Sequence, residues 1–218
     1  MRAMSAGQSW VIGLTGGIGT GKTRVADLLR ELGATVECSD RIVHELQARG
    51  GRALQAIADV FGQHYVTARG ELDRERLGQR VFSDPNARQK LNRIMHPLVR
   101  EELSRRLDRH VAAKAPVVVL DIPLLLEGRT AGGTSGAPLP FDQVVLVYAP
   151  EATQVERASR RDGMTAEDVL RRVKAQLSIE EKRKLADVVI DNSGDWASTE
   201  AQVRALYQGW IERPPSRP

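Results

Sequence analysis

A glycine-rich stretch near the start of the chain has the residue types and the spacing of a phosphate-binding loop. Residues Gly16–Thr23 match G-x-x-x-x-G-K-[ST], the P-loop pattern. Glycines let the backbone curl so that its N–H groups converge on phosphate oxygens, and the helix that follows adds its positive end. We expect Lys22 to reach the β- and γ-phosphates of a nucleoside triphosphate and Thr23 to offer a hydroxyl to Mg²⁺. The predicted triphosphate-binding residues are Gly17, Ile18, Gly19, Thr20, Gly21, Lys22 and Thr23.

Two aspartates follow apolar runs and could take part in phosphoryl transfer. Asp40 comes after the run that ends at Cys38, and we expect it to face the phosphates from the strand beside the P-loop strand. It could accept a proton from an acceptor hydroxyl or help bind Mg²⁺, but an N-cap for the next helix is an equally ordinary use of Asp. Asp121 ends the run Val117–Leu120, as magnesium-associated acids of P-loop proteins do; a strand-end cap is the alternative.

Arginines and one histidine are the remaining candidates. Arg157, Arg160 and Arg161 lie within one helical turn, where they could neutralise charge on a transferring phosphate. They could equally form a solvated helix face that pairs with the acids around them, Glu151, Glu156 and Asp162. A lone histidine such as His96, which precedes Pro97, more often packs or caps than catalyses.

Five short apolar runs predict the strands that position these residues. They are Trp10–Leu14, Ala34–Cys38, Pro116–Ile122, Gln143–Tyr148 and Asp187–Ile190. Continuous Val, Leu and Ile runs are typical of strands buried on both faces, as in a parallel sheet covered by helices. The predicted architecture is therefore α/β, with a five-stranded parallel sheet in a three-layer αβα arrangement.

Two helical excursions interrupt the strands. Residues 51–114 form one, with a long helix at Asn86–Ala113 that is bent or broken near His96-Pro97; we interpret it as a substrate-binding insertion. Residues 151–185 form the second, an arginine-rich lid. The core then comprises residues 8–50, 115–150 and 186–212. By composition, Gly128–Pro140 is a flexible loop and residues 213–218 a loose tail.

Composition limits the classes of function. The chain has 218 residues, 41% of them hydrophobic, and a formal net charge of +4. Because its basic residues are spread out and interleaved with acids, a small polyanion is favoured over nucleic acid as partner. Cys38 is the only cysteine, which excludes an internal disulfide and a cysteine-rich zinc site. Since no run is long enough to span a membrane and no signal peptide is evident, we expect a cytoplasmic protein.

A P-loop alone allows a small-molecule kinase, a regulatory GTPase or a motor-type ATPase. The guanine-reading motif Asn/Thr-Lys-x-Asp is absent from the sequence. A core with an acceptor-binding insertion and an arginine-bearing lid is the layout of a kinase of small metabolites. An ATPase that acts on nucleic acid is the competing class, and a kinase of another metabolite or nucleotide is the nearer rival.

Ordered motifs from Val11 to Gly194 strongly resemble the dephospho-CoA kinase family. They are the segment Ile12–Thr23, Leu72-Asp73-Arg74, Val81-Phe82, His96-Pro97, the segment Asp121–Glu127, Gln154-x-x-Arg157-x-x-x-Arg161, Ala175-Gln176, and the segment Ala186–Gly194. The resemblance implies ATP-dependent phosphorylation of the ribose 3′-hydroxyl of dephospho-CoA to give CoA, with Mg²⁺ as cofactor. It also implies a P-loop core, a helical CoA-binding insertion and a lid.

The resemblance also implies roles for individual residues. Asp40 is the catalytic base, with Lys22 and Arg157 assisting the transfer. Arg161, Asn192 and Gly194 join the ATP site. Arg74, His96, Asp121 and Leu124 contact the acceptor, and Thr23 contacts the metal. The chain departs from the family's Asp-x-Asp element because Cys38 replaces the first Asp, and Arg24 stands where threonine is usual.

Overall fold

The computed structural model describes residues 9–130, 139–213 and 215. The strands are β1 (Trp10–Gly16), β2 (Thr35–Cys38), β3 (Val117–Asp121), β4 (Gln143–Tyr148) and β5 (Val188–Asp191). The helices are α1 (Lys22–Glu31), α2 (Ser39–Leu46), α3 (Arg52–Phe61), α4 (Arg74–Ser83), α5 (Pro85–Ala112), α6 (Leu125–Thr130), α7 (Glu151–Asp162), α8 (Ala166–Lys174), α9 (Ile179–Leu185) and α10 (Trp196–Glu212), with a short 3₁₀ helix at Gln63–Tyr65.

The strands form one parallel sheet in the order β2-β3-β1-β4-β5, so the predicted α/β fold with a five-stranded parallel sheet is confirmed. β1 is central, with β3 on one side, where Leu14 pairs with Asp121, and β4 on the other, where Gly16 pairs with Val147. The carboxyl ends of parallel strands meet at one edge. The P-loop, Asp121 and the segment after β5 therefore share that edge.

Apolar side chains cover both faces of the sheet. On one face, Ile12, Leu14, Val119, Val145 and Val147 pack with residues of α1 and α10, among them Leu29 and Trp210. On the other face, Leu146 and Tyr148 pack against Ile179 of α9. Burial on both faces explains why the strands read as uninterrupted apolar runs.

The described chain divides into two compact units. One consists of residues 38–105, which contain α2 to α4 and most of α5. The other, the sheet unit, comprises the remaining described residues on both sides of this segment. The unit of residues 38–105 begins and ends earlier in the chain than the insertion predicted at residues 51–114.

Local departures from the predicted elements have simple physical causes. α5 runs from Pro85 to Ala112 with Pro97 inside it, so the helix is not broken near His96-Pro97. Gly128 to Thr130 end α6, so the predicted loop is wrong there; the buried Leu125 and Leu126 anchor that helix. Residues 131–138 of that loop, and residues 214 and 216–218 of the predicted tail, lie outside the described residues. Within the described part of the chain, no helix has the length and apolarity needed to cross a membrane.

Candidate nucleotide and acceptor site

The P-loop connects β1 to α1 with a backbone conformation that favours glycine at two positions. Gly19 has φ 74° and Gly21 has φ 88°, both in the left-handed region. The Thr20 hydroxyl donates to the carbonyl of Gly17 at 2.9 Å, which closes the loop on itself. Lys22 is then the first residue of α1 and Thr23 follows it, exposed. The loop thus has the strand–turn–helix setting that a phosphate-binding nest requires.

Two buried amide side chains contact the P-loop from other elements. A Cβ on Gly17 would collide with the side-chain oxygen of Gln154, a residue of α7 that is 1% exposed, and a Cβ on Gly19 would collide with the backbone carbonyl of the same residue. A Cβ on Gly21 would collide with the side-chain nitrogen of Asn192. That nitrogen donates to the carbonyl of Thr20 at 2.7 Å, and Asn192 in turn accepts from the Thr199 hydroxyl at 2.8 Å. The loop is therefore packed closely against α7 and the segment after β5.

Lys22 and Asp121 form an ion pair at the ends of adjacent structural elements. The ammonium donates directly to the carboxylate, and the two side chains are only 12% and 5% exposed. Asp121 therefore orients the residue on which P-loop phosphate binding depends. This contact differs from a strand-end cap, because the aspartate accepts from a side chain and not from neighbouring backbone.

Asp40 lies in a different place from the one predicted. The strand beside β1 is β3, which Asp121 ends, so the expectation that Asp40 follows the strand next to the P-loop strand is wrong. The N-cap interpretation is also wrong, since Cys38 is the N-cap of α2 and Asp40 lies in its first turn. Asp40 is exposed, and among the described residues its carboxylate has no hydrogen-bond or ion-pair partner. A carboxylate with no internal partner is available to an acceptor hydroxyl.

The arginines of α7 separate into two groups. Arg160 pairs with Glu156 and Arg161 with Asp162, each at 2.7 Å on the exposed face, as the solvated-face alternative predicts. Arg157 instead is half-buried and donates to the backbone carbonyl of Asn192 at 2.8 Å. Arg157 and Asn192 are thus brought together, and both adjoin the P-loop contacts described above.

The other predicted site residues are distributed over both compact units. Leu124, 46% exposed, follows Pro123, whose carbonyl accepts from the Thr15 hydroxyl at 3.0 Å. Gly194 is exposed two residues after Asn192. His96 belongs to the unit of residues 38–105, and burial, together with the nearby charge of Arg100, lowers the pKa of its imidazole. Both effects favour the neutral imidazole.

Arg74 begins α4 in the unit of residues 38–105. Its guanidinium donates to the ring nitrogen Nδ1 of His44 and, at 2.9 Å, to the carbonyl of His44. No local pattern distinguishes His44, because its contact with Arg74 joins residues 30 positions apart. Gln154 was detectable only as the first residue of a family motif.

The described residues do not form a metal site made of protein ligands alone. No group of three or more His, Cys, Asp or Glu side chains within the described residues could hold one. The donors near the P-loop are the Thr23 hydroxyl and the Asp121 carboxylate. This set suits a cation that arrives with a nucleotide, since Mg²⁺ commonly takes one or two protein oxygens together with phosphates and water.

Comparison with known proteins identifies relatives along almost the whole chain. The family model for dephospho-CoA kinase matches residues 10–198. The dephospho-CoA kinase of Bacillus licheniformis is 42% identical over 200 residues, which are 92% of this chain and 96% of that protein. The dephospho-CoA kinase of Nitrosospira multiformis is 43% identical over 201 residues, 92% of this chain and 96% of its own.

Solved structures agree in fold. A Thermus thermophilus protein superposes with a TM-score of 0.75 at 36% identity and covers 93% of this chain and 98% of its own. The dephospho-CoA kinase from Campylobacter jejuni superposes with a TM-score of 0.67 at 24% identity, covering 93% and 97%.

Proposed function

The chain belongs to the dephospho-CoA kinase family, and we propose that its P-loop, lid and helical unit carry out that family's reaction. The reaction is the ATP-dependent phosphorylation of dephospho-CoA at its ribose 3′-hydroxyl to give CoA. The observation that carries the proposal is the P-loop itself, in which Lys22 starts a helix directly after two left-handed glycines and contacts a buried aspartate.

On the donor side, the loop amides and Lys22 bind the β- and γ-phosphates of ATP. Asp121 orients Lys22 through their ion pair. Arg157, which already contacts the carbonyl of Asn192, supplies positive charge from the lid, residues 151–185, with Arg161 beside it. Asn192 and Gly194 adjoin the adenine. Positioning and charge neutralisation account for most of catalysis in phosphoryl transfer, so these contacts are the main contribution of the chain.

On the acceptor side, Asp40 is the general base. As the 3′-oxygen of dephospho-CoA bonds to the γ-phosphorus, the bond from that phosphorus to the bridging oxygen of ADP breaks and the 3′-hydroxyl proton passes to the carboxylate of Asp40. Exposure and the absence of a described internal partner support this role for Asp40. Arg74, His96, Asp121 and Leu124 contact the acceptor.

Magnesium fits the donor set at the P-loop. Thr23 would bind the ion through its hydroxyl, and the ATP phosphates would supply further oxygens. When bound, the ion neutralises charge on the β- and γ-phosphates.

ATP consumption with and without dephospho-CoA tests the proposal. We expect strong stimulation by dephospho-CoA and a product one phosphate heavier that is identical to CoA. Lys22→Ala should nearly abolish turnover. A panel of other small-molecule acceptors and of RNA and DNA is the control. Stimulation by one of those, with none by dephospho-CoA, would refute the proposed reaction.

A further inference from the structure

A basic cavity lies in the unit of residues 38–105, beside the C-terminal end of α2, the helix that carries Asp40 in its first turn. Its volume is about 280 Å³, and it is lined by Gln47, Ala48, Arg49, Glu71, Leu72 and Arg74. Two guanidinium groups face one carboxylate, so the lining has a net positive charge. Leu72 is buried at 8% exposure and pairs with Val66 as an isolated antiparallel bridge, which fixes the turn that leads to Arg74.

Arg74 is oriented by two contacts with one residue of α2. Because a guanidinium only donates, its contact with Nδ1 of His44 requires that nitrogen to accept, and the imidazole proton is then on Nε2. The second contact, to the carbonyl of His44 at 2.9 Å, fixes the plane of the guanidinium. The remaining N–H groups of Arg74 have no partner among the described residues and are available to a ligand at the cavity.

His44 and Asp40 are four residues apart in α2, and residues at that spacing lie on one face of a helix, about 6 Å apart. Arg74, attached to His44, is therefore one helical turn from Asp40. In dephospho-CoA the ribose carries the 3′-hydroxyl and the 5′-diphosphate on either side of one sugar ring. A ribose with its 3′-hydroxyl at Asp40 brings its diphosphate to Arg74 when the nucleotide lies along α2.

We propose that Arg74 and Arg49 bind the diphosphate of dephospho-CoA and that His44 is the positioning residue that orients Arg74 for it. This inference rests on the proposed function and assigns one part of the acceptor to one cavity. Arginine suits the task, because its planar fork of N–H groups matches two phosphate oxygens at once.

Steady-state kinetics with dephospho-CoA separate positioning from stability. Losing one charge-assisted contact in a binding site raises KM by about 10- to 100-fold. We expect the KM for dephospho-CoA to increase toward the upper end of that range in Arg74→Ala and toward the lower end in His44→Ala. In both variants kcat and the KM for ATP should stay close to their wild-type values. His44→Asn should restore much of the loss, since the amide oxygen of Asn can accept where Nδ1 of His does. Arg88→Ala, which removes an exposed arginine from α5, is the charge-matched control and should change neither constant.

Two results would overturn the inference. The first is an unchanged KM for dephospho-CoA in both His44→Ala and Arg74→Ala, with a lower melting temperature, because Arg74 would then serve only to cap α2. The second is an equal increase in KM in Arg88→Ala, which would indicate a general charge effect. A wild-type enzyme that does not phosphorylate dephospho-CoA would instead refute the proposed function.

Discussion

Among the residues with a proposed role, Asp40 has a carboxylate with no hydrogen-bond or ion-pair partner within the described structure. Exposed on the first turn of α2, it can meet a substrate hydroxyl without first breaking an internal contact. Lys22 is the opposite case, because it is largely buried and already paired with Asp121. Asp40 is therefore available to accept a proton, whereas Lys22 is held in one orientation for phosphate binding.

Replacing Asp40 by Asn should separate chemistry from binding. Without a general base, kcat should fall by about 10²- to 10⁴-fold, while the dissociation constant of ATP stays near its wild-type value. ADP release measures the first quantity and titration calorimetry the second. Cys38→Ser is the matched control two residues earlier, and turnover should survive it. Normal turnover in Asp40→Asn would remove Asp40 from the mechanism.

Short-range patterns predicted the P-loop, but not the partners of its residues. Gly16–Thr23 were recognisable because a phosphate nest needs glycines and a lysine at fixed spacing. The contacts of Lys22 with Asp121, of Arg157 with Asn192 and of Arg74 with His44 join residues between 30 and 99 positions apart. Such pairs depend on the fold, and no local pattern specifies them.

At the level of elements, β2 and the C-terminal part of α5 are joined by a charged cluster within the sheet unit. Glu37, at the end of β2, accepts from Arg106 at 3.0 Å and from His110 at 2.7 Å. Burial by itself would raise the pKa of Glu37, but the hydrogen bonds from His110 and Arg106 outweigh it, and the net pKa lies below the usual 4.5. The cluster attaches the strand that precedes Asp40 to the longest helix.

This cluster should make stability depend on pH in a defined direction. Because the pKa of Glu37 is lowered by folding, its contribution is complete above pH 4.5 and is lost as the pH falls through the lower folded-state pKa. Glu37→Gln should therefore reduce the free energy of unfolding at pH 7 by about 1–3 kcal/mol, and the deficit should shrink on acidification below pH 4.5. Urea denaturation at several pH values from 7 to 3 measures the deficit and its change with pH. Glu31→Gln, at an exposed position, is the control. A deficit independent of pH would contradict the assignment.

An ion pair between a buried lysine and a partly exposed glutamate joins α6 to α9. Lys182, 1% exposed at its side chain, binds the carboxylate of Glu127 at 2.7 Å. Lys182→Met should lower the free energy of unfolding by about 3–5 kcal/mol, since it leaves a carboxylate without its cation, and Glu127→Gln added to it should recover part of the loss. Lys184→Met, at an exposed position of α9, is the control. Chemical denaturation measures the free energy of unfolding of both variants. An equal loss in Lys182→Met and Lys184→Met would show that the burial of Lys182 does not determine its contribution to stability.

The existence of the strands was predictable, whereas their order was not. Continuous apolar runs located all five strands to within about two residues, because burial on both faces leaves a clear signal. The placement of β3 between β2 and β1 depends on the path of a connection of 78 residues, Ser39–Pro116, which no local pattern fixes. The helical end of α6 was missed because Gly128 suggests a loop, while the buried leucines before it determine the outcome.

For the whole molecule, the proposed nucleotide-binding residues all lie in one compact unit, whereas the proposed acceptor contacts come from both, since Asp121 and Leu124 belong to the sheet unit. The P-loop, the lid and the segment after β5 belong to the sheet unit, and Asp40, Arg74 and His96 belong to the unit of residues 38–105. Nucleotide binding should therefore depend on residues of the sheet unit and be insensitive to changes at Asp40.

Ligand-induced stabilisation tests this division. A ligand that binds only the folded state at 100 times its dissociation constant stabilises it by about 2.7 kcal/mol. We expect that increase for the wild type with ATP and magnesium, the same increase for Asp40→Asn, and almost none for Lys22→Ala, because only Lys22 belongs to the proposed phosphate site. Melting curves over a range of ATP concentrations measure the effect, and each unliganded variant is its own reference. Loss of the increase in Asp40→Asn would mean that the unit of residues 38–105 takes part in ATP binding.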